Sequence, residues 1–409
     1  MSTVPLWTLA EEKRQVVEPA VLGSQVMHYS IPAVDRLGTG AVEETSEIQS
    51  SKLLLSGGEV LISKLNPRKS RVVVVDHSEY PIVSSTEFIG LEPGVNVEPR
   101  YLFYFLQSES VRQHLDSLVQ SVTRSHQRVS PEDVLHAGVP RMEKEEQRRI
   151  ADFLDAETSR IDRLVNLQTT VLSRLEERGV AQRDLALDEL ETSGRVIPFR
   201  RFIWSVDQGV SPQCEAVPAE AGEWGVLKVS CLRPGVFLPG ENKRLPDDVV
   251  PHTAAEVESG DLLITRANTP SLVGSTAVVR DVRPRLLLSD KIFRVRLSGG
   301  ILPEFAAEVA AGSKVRSLCG ASSNGASQTM ANIRFEEVKA WPIPFVPLVD
   351  QKNFVASMAS SRLSVECLRQ RIVRQLELLA ERRQALITAA VTGQFDVSTA
   401  SGRTTTQGV

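Results

Sequence analysis

The chain has 409 residues, 42% hydrophobic and 24% charged, with a formal net charge of −4 at pH 7. At roughly 150 residues per domain, that length asks for two or three domains. No apolar run reaches the roughly 18 residues of a membrane span, and a slightly acidic average does not advertise attraction to phosphate.

The opening Met1-Ser2-Thr3-Val4-Pro5-Leu6-Trp7 has neither a basic n-region nor an apolar core, so no signal peptide and a cytoplasmic location are expected. From residue 1 to about 142 the chain reads as short apolar runs broken by Gly and Pro. Leu61-Ile62, Val72-Val73-Val74-Val75 and Phe88-Ile89 predict buried strands, and 99–118 predicts a helix entered through Pro99. Within that helix Tyr101, Phe103, Tyr104 and Phe105 have the spacing of a core face. This is an α+β domain with a mostly antiparallel sheet.

From Glu145 the pattern changes to the coiled-coil period: Ile150, Leu154, Ile161, Leu164, Val171 and Leu175 recur, with Gln168 in one seam position. The helix runs to about Leu190 and stops at Ser193-Gly194. At ~1.5 Å per residue, about 45 residues reach roughly 65 Å. A second strand-rich module begins near Ile197-Pro198-Phe199, with strands predicted at Trp224–Val229, Asp261–Ile264 and Phe293–Leu297. After Pro347 a second seam follows through Val365, Leu368, Ile372, Leu376, Leu379 and Leu386, and Gly393 ends it. Residues 398–409 lack apolar anchors and are expected to be disordered. The four cysteines, Cys214, Cys231, Cys319 and Cys367, form no Cys-x-x-Cys pair. They are expected to be reduced and mostly buried.

The two halves say roughly the same thing. Gln147 follows Glu146 after Val139-Pro140, and Gln351 follows Asp350 after Ile343-Pro344, about 204 residues later. Gly58-Glu59-Val60-Leu61-Ile62-Ser63-Lys64 pairs with Gly260-Asp261-Leu262-Leu263-Ile264-Thr265-Arg266. A repeat of this length is a duplicated domain plus helix, beyond the 20–50 residues of a solenoid unit. The expected fold is two pseudo-repeated α+β modules joined by two long antiparallel coiled-coil helices. The boundaries are a first module at 1–142, a helix at 143–194, a second module at 195–347, a helix at 348–397 and a tail at 398–409. The other arrangement left open lays each helix back on its own module.

Signatures of catalysis are missing from the sequence. Gly312-Ser313-Lys314 lacks the rest of a phosphate-binding loop, and no Gly-x-Gly-x-x-Gly follows a strand. Asn66-Pro67-Arg68-Lys69 lacks the second proline and the aromatic that would stack on a flipped base, so it reads as a basic turn. The six histidines show no metal spacing.

The repeated Gly-acid-apolar strand, the Ser/Thr/Asn/Gln-rich loop and the Val-x-Pro or Ile-x-Pro step into acidic-Gln and a long helix resemble the specificity subunit of type I restriction-modification enzymes. Glu145-Glu146-Gln147-Arg148-Arg149-Ile150-Ala151-Asp152-Phe153-Leu154-Asp155 is similar to that family's central signature. Ala385-Leu386-Ile387-Thr388-Ala389-Ala390-Val391-Thr392-Gly393-Gln394-Phe395-Asp396-Val397 is similar to its closing one. Asp350 departs by replacing the usual Glu, keeping the charge. The resemblance implies two target-recognition domains, each reading one half of a split site in double-stranded DNA. It implies helices that fix the gap and dock two methyltransferase subunits, and two restriction or translocase subunits as further partners. S-adenosylmethionine, ATP and Mg are then expected on those partners, with no cofactor or metal on this non-catalytic chain.

Base readout needs Arg, Lys, Asn, Gln and Ser on loops at a groove, with Lys and Arg beside them for phosphate. Arg124, His126, Gln127 and Arg128 supply these in the first module, and Asn324, Ser327, Gln328 and Asn332 supply an uncharged, amide-rich counterpart in the second. Lys64, Arg68, Lys69 and Arg71, with Arg266, Asn268 and Lys291, add basic strand edges. The same residues also suit a solvated edge that blocks aggregation, and Lys291 is also placed to pair with Asp290. Off the mutual seam, Phe153, Leu167 and Leu172 are placed for partner helices, or for a broad seam that buries them internally. The other class of function left open is a coiled-coil scaffold whose modules bind other proteins.

Overall fold

The computed structural model describes residues 2–119, 127–322 and 330–397. The tail expected at 398–409 therefore lies outside the described residues. The chain divides into two units, Met1–Thr169 with Val373–Val409, and Thr170–Ile372.

In the first unit a four-stranded antiparallel sheet runs in the order Ala10–Lys13, Phe88–Pro93, Val60–Ser63 and Val72–Val74. The central strand Val60–Ser63 is buried at every position because both faces are covered. Val60 and Ile62 pack with the helical residues Tyr101, Leu102, Phe105 and Leu154, while Leu61 joins Tyr29, Leu55 and Val73 on the other side. That second layer is a five-stranded sheet in which Gln25–Tyr29 and Ile82–Ser84 pair in parallel. The Gly-acid pair that announces the central strand closes the preceding turn. Gly58 adopts φ 91°, a conformation that favours glycine. The buried Glu59 carboxylate accepts from the backbone of Ser56 at 2.7 Å and Gly57 at 2.8 Å.

The second unit repeats the plan with Ile203–Gln208, Ile292–Leu297, Leu262–Thr265 and Thr276–Val278. Gly260 has φ 98°, and Asp261 accepts from Glu258 N at 2.9 Å. Beneath it Gly225–Leu227 pairs in parallel with Leu286–Leu287 and antiparallel with Asn242–Arg244.

The helix expected at 99–118 is two helices, Pro99–Gln107 and Glu109–Ser117. Ser108 is extended there, at φ −64° and ψ 151°, and its hydroxyl caps Val111 N, so a serine mid-pattern starts a new helix. Of the aromatic face, Tyr101, Tyr104 and Phe105 are buried and Phe103 is half-buried against the same core, and burial raises the Tyr104 hydroxyl to about 12. The sulfur reading needs one amendment, since Cys231 and Cys319 are buried but Cys367 is exposed.

The long helices are Lys144–Ser193 and Leu348–Val391. In the first unit Phe153 stacks near Phe395, with centroids 5.6 Å apart, and Asp162 pairs with Arg383. In the second, Ser361 Oγ donates to Gln182 at 2.8 Å, and Val346 lies against Gly194. As one residue number rises the other falls, so the helices are antiparallel within each unit. Each unit thus holds the start of one long helix and the end of the other, not a helix folded back alone on its own module.

The two glutamines that open these helices are clamps. Gln147 Oε1 accepts from Glu98 N at 3.0 Å, and its Nε2 donates to Met142 O at 3.0 Å and Asn96 O at 3.4 Å. Gln351 does the same with Leu302 N at 2.9 Å and with Val346 O and Gly300 O, each at 3.0 Å. The far ends match as well. Glu109 N donates to Thr388 Oγ1 at 3.0 Å, and Ser313 N to Asp184 Oδ1 at 2.9 Å.

The predicted seam is narrower than expected. Ile150, Leu154 and Ile161 are buried, but Leu164, Val171 and Leu368 are each more than 40% exposed. Of the residues assigned to partner helices, Leu167 is 63% exposed and Leu172 is half-buried. Phe153 is half-buried and packs against the core of the first unit.

Candidate nucleic-acid interface

In each module three backbone segments meet at the end of the central strand. Lys64 N donates to Glu87 O at 2.8 Å, and Val129 N donates to Lys64 O at 3.1 Å. The second module repeats this with Arg266 N to Lys291 O at 2.8 Å and Ile333 N to Arg266 O at 2.9 Å. Leu65 bridges Arg128, as Ala267 pairs with Asn332. The frame therefore sets Lys64, Glu87 and Arg128 side by side in one module and Arg266, Lys291 and Asn332 in the other.

The side chains on that frame differ. In the first module Lys64 Nζ donates to Thr86 O at 2.7 Å, and Arg128 donates through Nη2 to Glu87 Oε1 at 2.9 Å while its side chain stays 60% exposed. The other carboxylate oxygen, Glu87 Oε2, is buried and has no partner among the described residues. Arg68 and Lys69 stand exposed on a 3-10 turn, Pro67–Lys69, entered through Asn66 at φ 53°. Gln127 O accepts from Asn66 N at 2.8 Å, which ties that turn to the returning strand. Arg68 pairs with Asp116 at 2.6 Å; as a largely exposed pair it contributes about 0–1 kcal/mol and leaves the arginine free to exchange partners.

In the second module Arg266 and Asn332 are exposed and Lys291 is half-buried. None of the three has a side-chain partner among the described residues. Asp290 takes its hydrogen bond from Ser211 and not from Lys291, so the alternative pairing of Lys291 does not form. Lys291 instead lines a groove of about 430 Å³ with Lys228, Lys243 and Ser289, whose buried hydroxyl lacks a partner among the described residues.

Two candidates are corrected by their surroundings. Arg71 has a side chain only 8% exposed; it binds Asp35 bidentately at 2.6 and 2.9 Å and Leu65 O at 3.2 Å. Its hydrogen bonds hold the Asp35 carboxyl below the usual carboxylate range, and it serves the fold. Asn268 is 8% exposed, accepts from Thr269 N at 2.8 Å and faces Val229 O, so it is turned inward. Arg124, His126, Asn324, Ser327 and Gln328 lie outside the described residues. Glu87, as an acid, does not stand out among the basic strand edges; only its place about 204 residues before Lys291 marks it in the sequence.

Among the described residues no group of three or more His, Cys, Asp or Glu could hold a metal ion, and no helix is long and apolar enough to cross a membrane.

No family model matches the chain. A specificity subunit of the type I restriction enzyme EcoEI from Escherichia coli is 31% identical over 159 residues, 38% of this chain and 27% of that protein. The HindI specificity subunit of Haemophilus influenzae is 25% identical over 128 residues, 31% of this chain and 27% of that one. The matches thus span about a quarter of the length of these curated relatives. Among solved structures, a chain from a study of complex assembly and conformational transition of the type I R-M system aligns with TM-score 0.71 at 17% identity, covering 96% of this chain and 98% of that one. The HsdS subunit from Thermoanaerobacter tengcongensis aligns with TM-score 0.53 at 17% identity, covering 96% and 97%.

Proposed function

We infer the task of this chain from its family, the specificity subunits of type I restriction-modification systems: it recognises a DNA sequence, each module reading one half of a bipartite site. The observation that carries this reading is the shared frame with unlike side chains. Two modules of one architecture present Lys64, Glu87 and Arg128 in one case and Arg266, Lys291 and Asn332 in the other, which suits two different half-sites on one duplex. A scaffold for proteins would not need this concentration of donors at equivalent loop ends.

In this reading the long helices set the spacing between half-sites. The exposed Leu164 and Leu167 in the first unit, and Val171, Leu363 and Leu368 in the second, give two methyltransferase subunits apolar positions to dock on, and restriction or translocase subunits join through them. S-adenosylmethionine, ATP and Mg belong to those partners, and the assembly works in the cytoplasm. The chain itself orients DNA and performs no bond-making step.

A long-read map of methylated bases in the native host, with the gene intact and deleted, tests the reading. Loss of one split motif, two short half-sites around a fixed gap, is the expected result. A methylome that stays unchanged while the methyltransferase partner is expressed refutes it. Purified chain should also lose DNA affinity steeply with salt, on the order of tenfold or more per few phosphates between roughly 50 and 200 mM.

A further inference from the structure

We propose that Arg128 and Asn332, at the same place on the repeated frame, read the equivalent base of the two half-sites as guanine and adenine respectively, and that Glu87 is the positioning residue that aims Arg128. The proposal rests on the DNA-reading function above and names the chemistry of its contact.

The backbone bonds fix both side chains in the same register, since each lies opposite the residue that follows the shared Lys64 or Arg266 position. What differs is the functional group. A guanidinium matches the O6 and N7 acceptors of guanine with two parallel donors, and a carboxamide matches the donor and acceptor of adenine N6 and N7. Arg128 is 60% exposed; Glu87 Oε1 takes one of its five N–H groups at 2.9 Å, which biases its orientation and leaves the rest of the planar fork to face outward. An arginine fixed at one edge loses less side-chain freedom on binding than a free one. A carboxylate beside a polyanion is repelled by phosphate unless a cation neutralises it, and Arg128 does so here. The second carboxylate oxygen is buried and without a partner among the described residues, so it is Oε1 that faces Arg128. In the second module the Glu87 position is Lys291. An uncharged amide needs no carboxylate to orient it, and a half-buried lysine there adds attraction to the duplex. The exchange from Glu–Arg to Lys–Asn is therefore consistent as a pair.

The test uses the full chain expressed from its own locus and reads the methylated motif. Arg128→Asn should change one base of the first half-site from guanine to adenine and leave the second half-site intact. Asn332→Arg should do the reverse in the second. Glu87→Gln should keep the motif but relax that one guanine, with discrimination falling by up to about 5-fold, the scale of an exposed ion pair. Melting of each purified variant separates misfolding from readout. If Arg128→Asn fails to fold, Glu87→Gln decides: full discrimination at every base of the first half-site overturns the proposal. A folded Arg128→Asn with the wild-type motif, or with a change in the other half-site, also overturns it. An unchanged methylome on deletion of the gene would instead sink the DNA-reading function itself.

Discussion

Replacing Gln351 with alanine should cost the second unit about 4 kcal/mol. The side chain is 1% exposed and its amide satisfies three backbone groups: Leu302 N at 2.9 Å, and Gly300 O and Val346 O at 3.0 Å each. Truncation strands all three. The Val346 carbonyl is fully enclosed, and an unsatisfied buried acceptor costs about 1–3 kcal/mol; the other two sit where water can enter and lose about 0.5–1.5 kcal/mol each. For a unit of about 200 residues each kcal/mol lowers Tm by about 2–4 °C, so a drop of roughly 8–16 °C is expected in calorimetry. Gln351→Glu should be equally damaging, because it keeps the acceptor, removes both donated bonds and buries a charge. Gln147→Ala should cost the first unit less, about 3 kcal/mol, since one of its bonds is stretched to 3.4 Å. A Tm shift below about 2 °C for Gln351→Ala, or a Gln351→Glu protein as stable as the wild type, would refute the clamp.

Arg294 has a side chain 6% exposed and binds Asp207 at 3.1 Å with Ala254 O and Glu256 O; Arg294→Ala should cost about 3 kcal/mol in urea unfolding, and Asp207→Asn clearly less. At Gly209 an added Cβ would collide with the Leu288 carbonyl, so Gly209→Ala should destabilise the second sheet by at least about 3 kcal/mol, visible as loss of soluble protein. Because Arg71 lowers the folded pKa of Asp35, the stability this pair adds is present above the carboxylate's unfolded value and disappears as pH falls through the depressed one. The stability gap between Arg71→Met and wild type should therefore close below about pH 4; a gap that is constant from pH 6 to roughly pH 2.5 would count against it. Lys64→Ala with Lys69→Ala should reduce the slope of log affinity against log salt by up to about 2, and an unchanged slope would mean that neither meets phosphate.

What was legible in the sequence is what the backbone depends on. Gly58 and Gly260 stand out because their positive φ leaves few other residues possible, Glu59 and Asp261 because a turn needs its amides taken, and Gln147 and Gln351 because a buried three-bond clamp accepts no other side chain of that shape. What was not legible turned on direction. Arg71 and Arg68 look alike as basic residues near a strand end, yet one faces Asp35 and the interior while the other stands on the turn. Asn268 follows the strand just as a base-reading amide would, and is turned inward by its bond to Thr269 N. Ser108 sits inside a helical pattern, and only its extended backbone reveals a cap. The mid-helix leucines keep the coiled-coil period although Leu164, Leu167 and Leu368 stand exposed among the described residues.

The same distinction explains how one architecture can serve two targets. The bonds that join the three segments of each interface run from backbone to backbone: Lys64 to Glu87 and Val129, Arg266 to Lys291 and Ile333. None of these uses a side chain, and the side-chain bonds that also link the segments of the first module, Arg128 to Glu87 and Lys64 to Thr86 O, are exposed, so the side chains at 64, 87 and 128 can be exchanged for those at 266, 291 and 332 without disturbing the frame. The residues that cannot be exchanged lie elsewhere, in the Gly-acid turn and the glutamine clamp, and those are the ones the two halves share. The burden of stability and the burden of recognition thus fall on different positions. A triple exchange in the first module, Lys64→Arg, Glu87→Lys and Arg128→Asn together, should accordingly melt within about 3 °C of the wild type, because no buried side-chain bond is lost apart from the half-exposed Glu87–Arg128 pair, worth about 0–1 kcal/mol. A much larger loss would show that the side chains hold the frame, and the separation of the two burdens would fail.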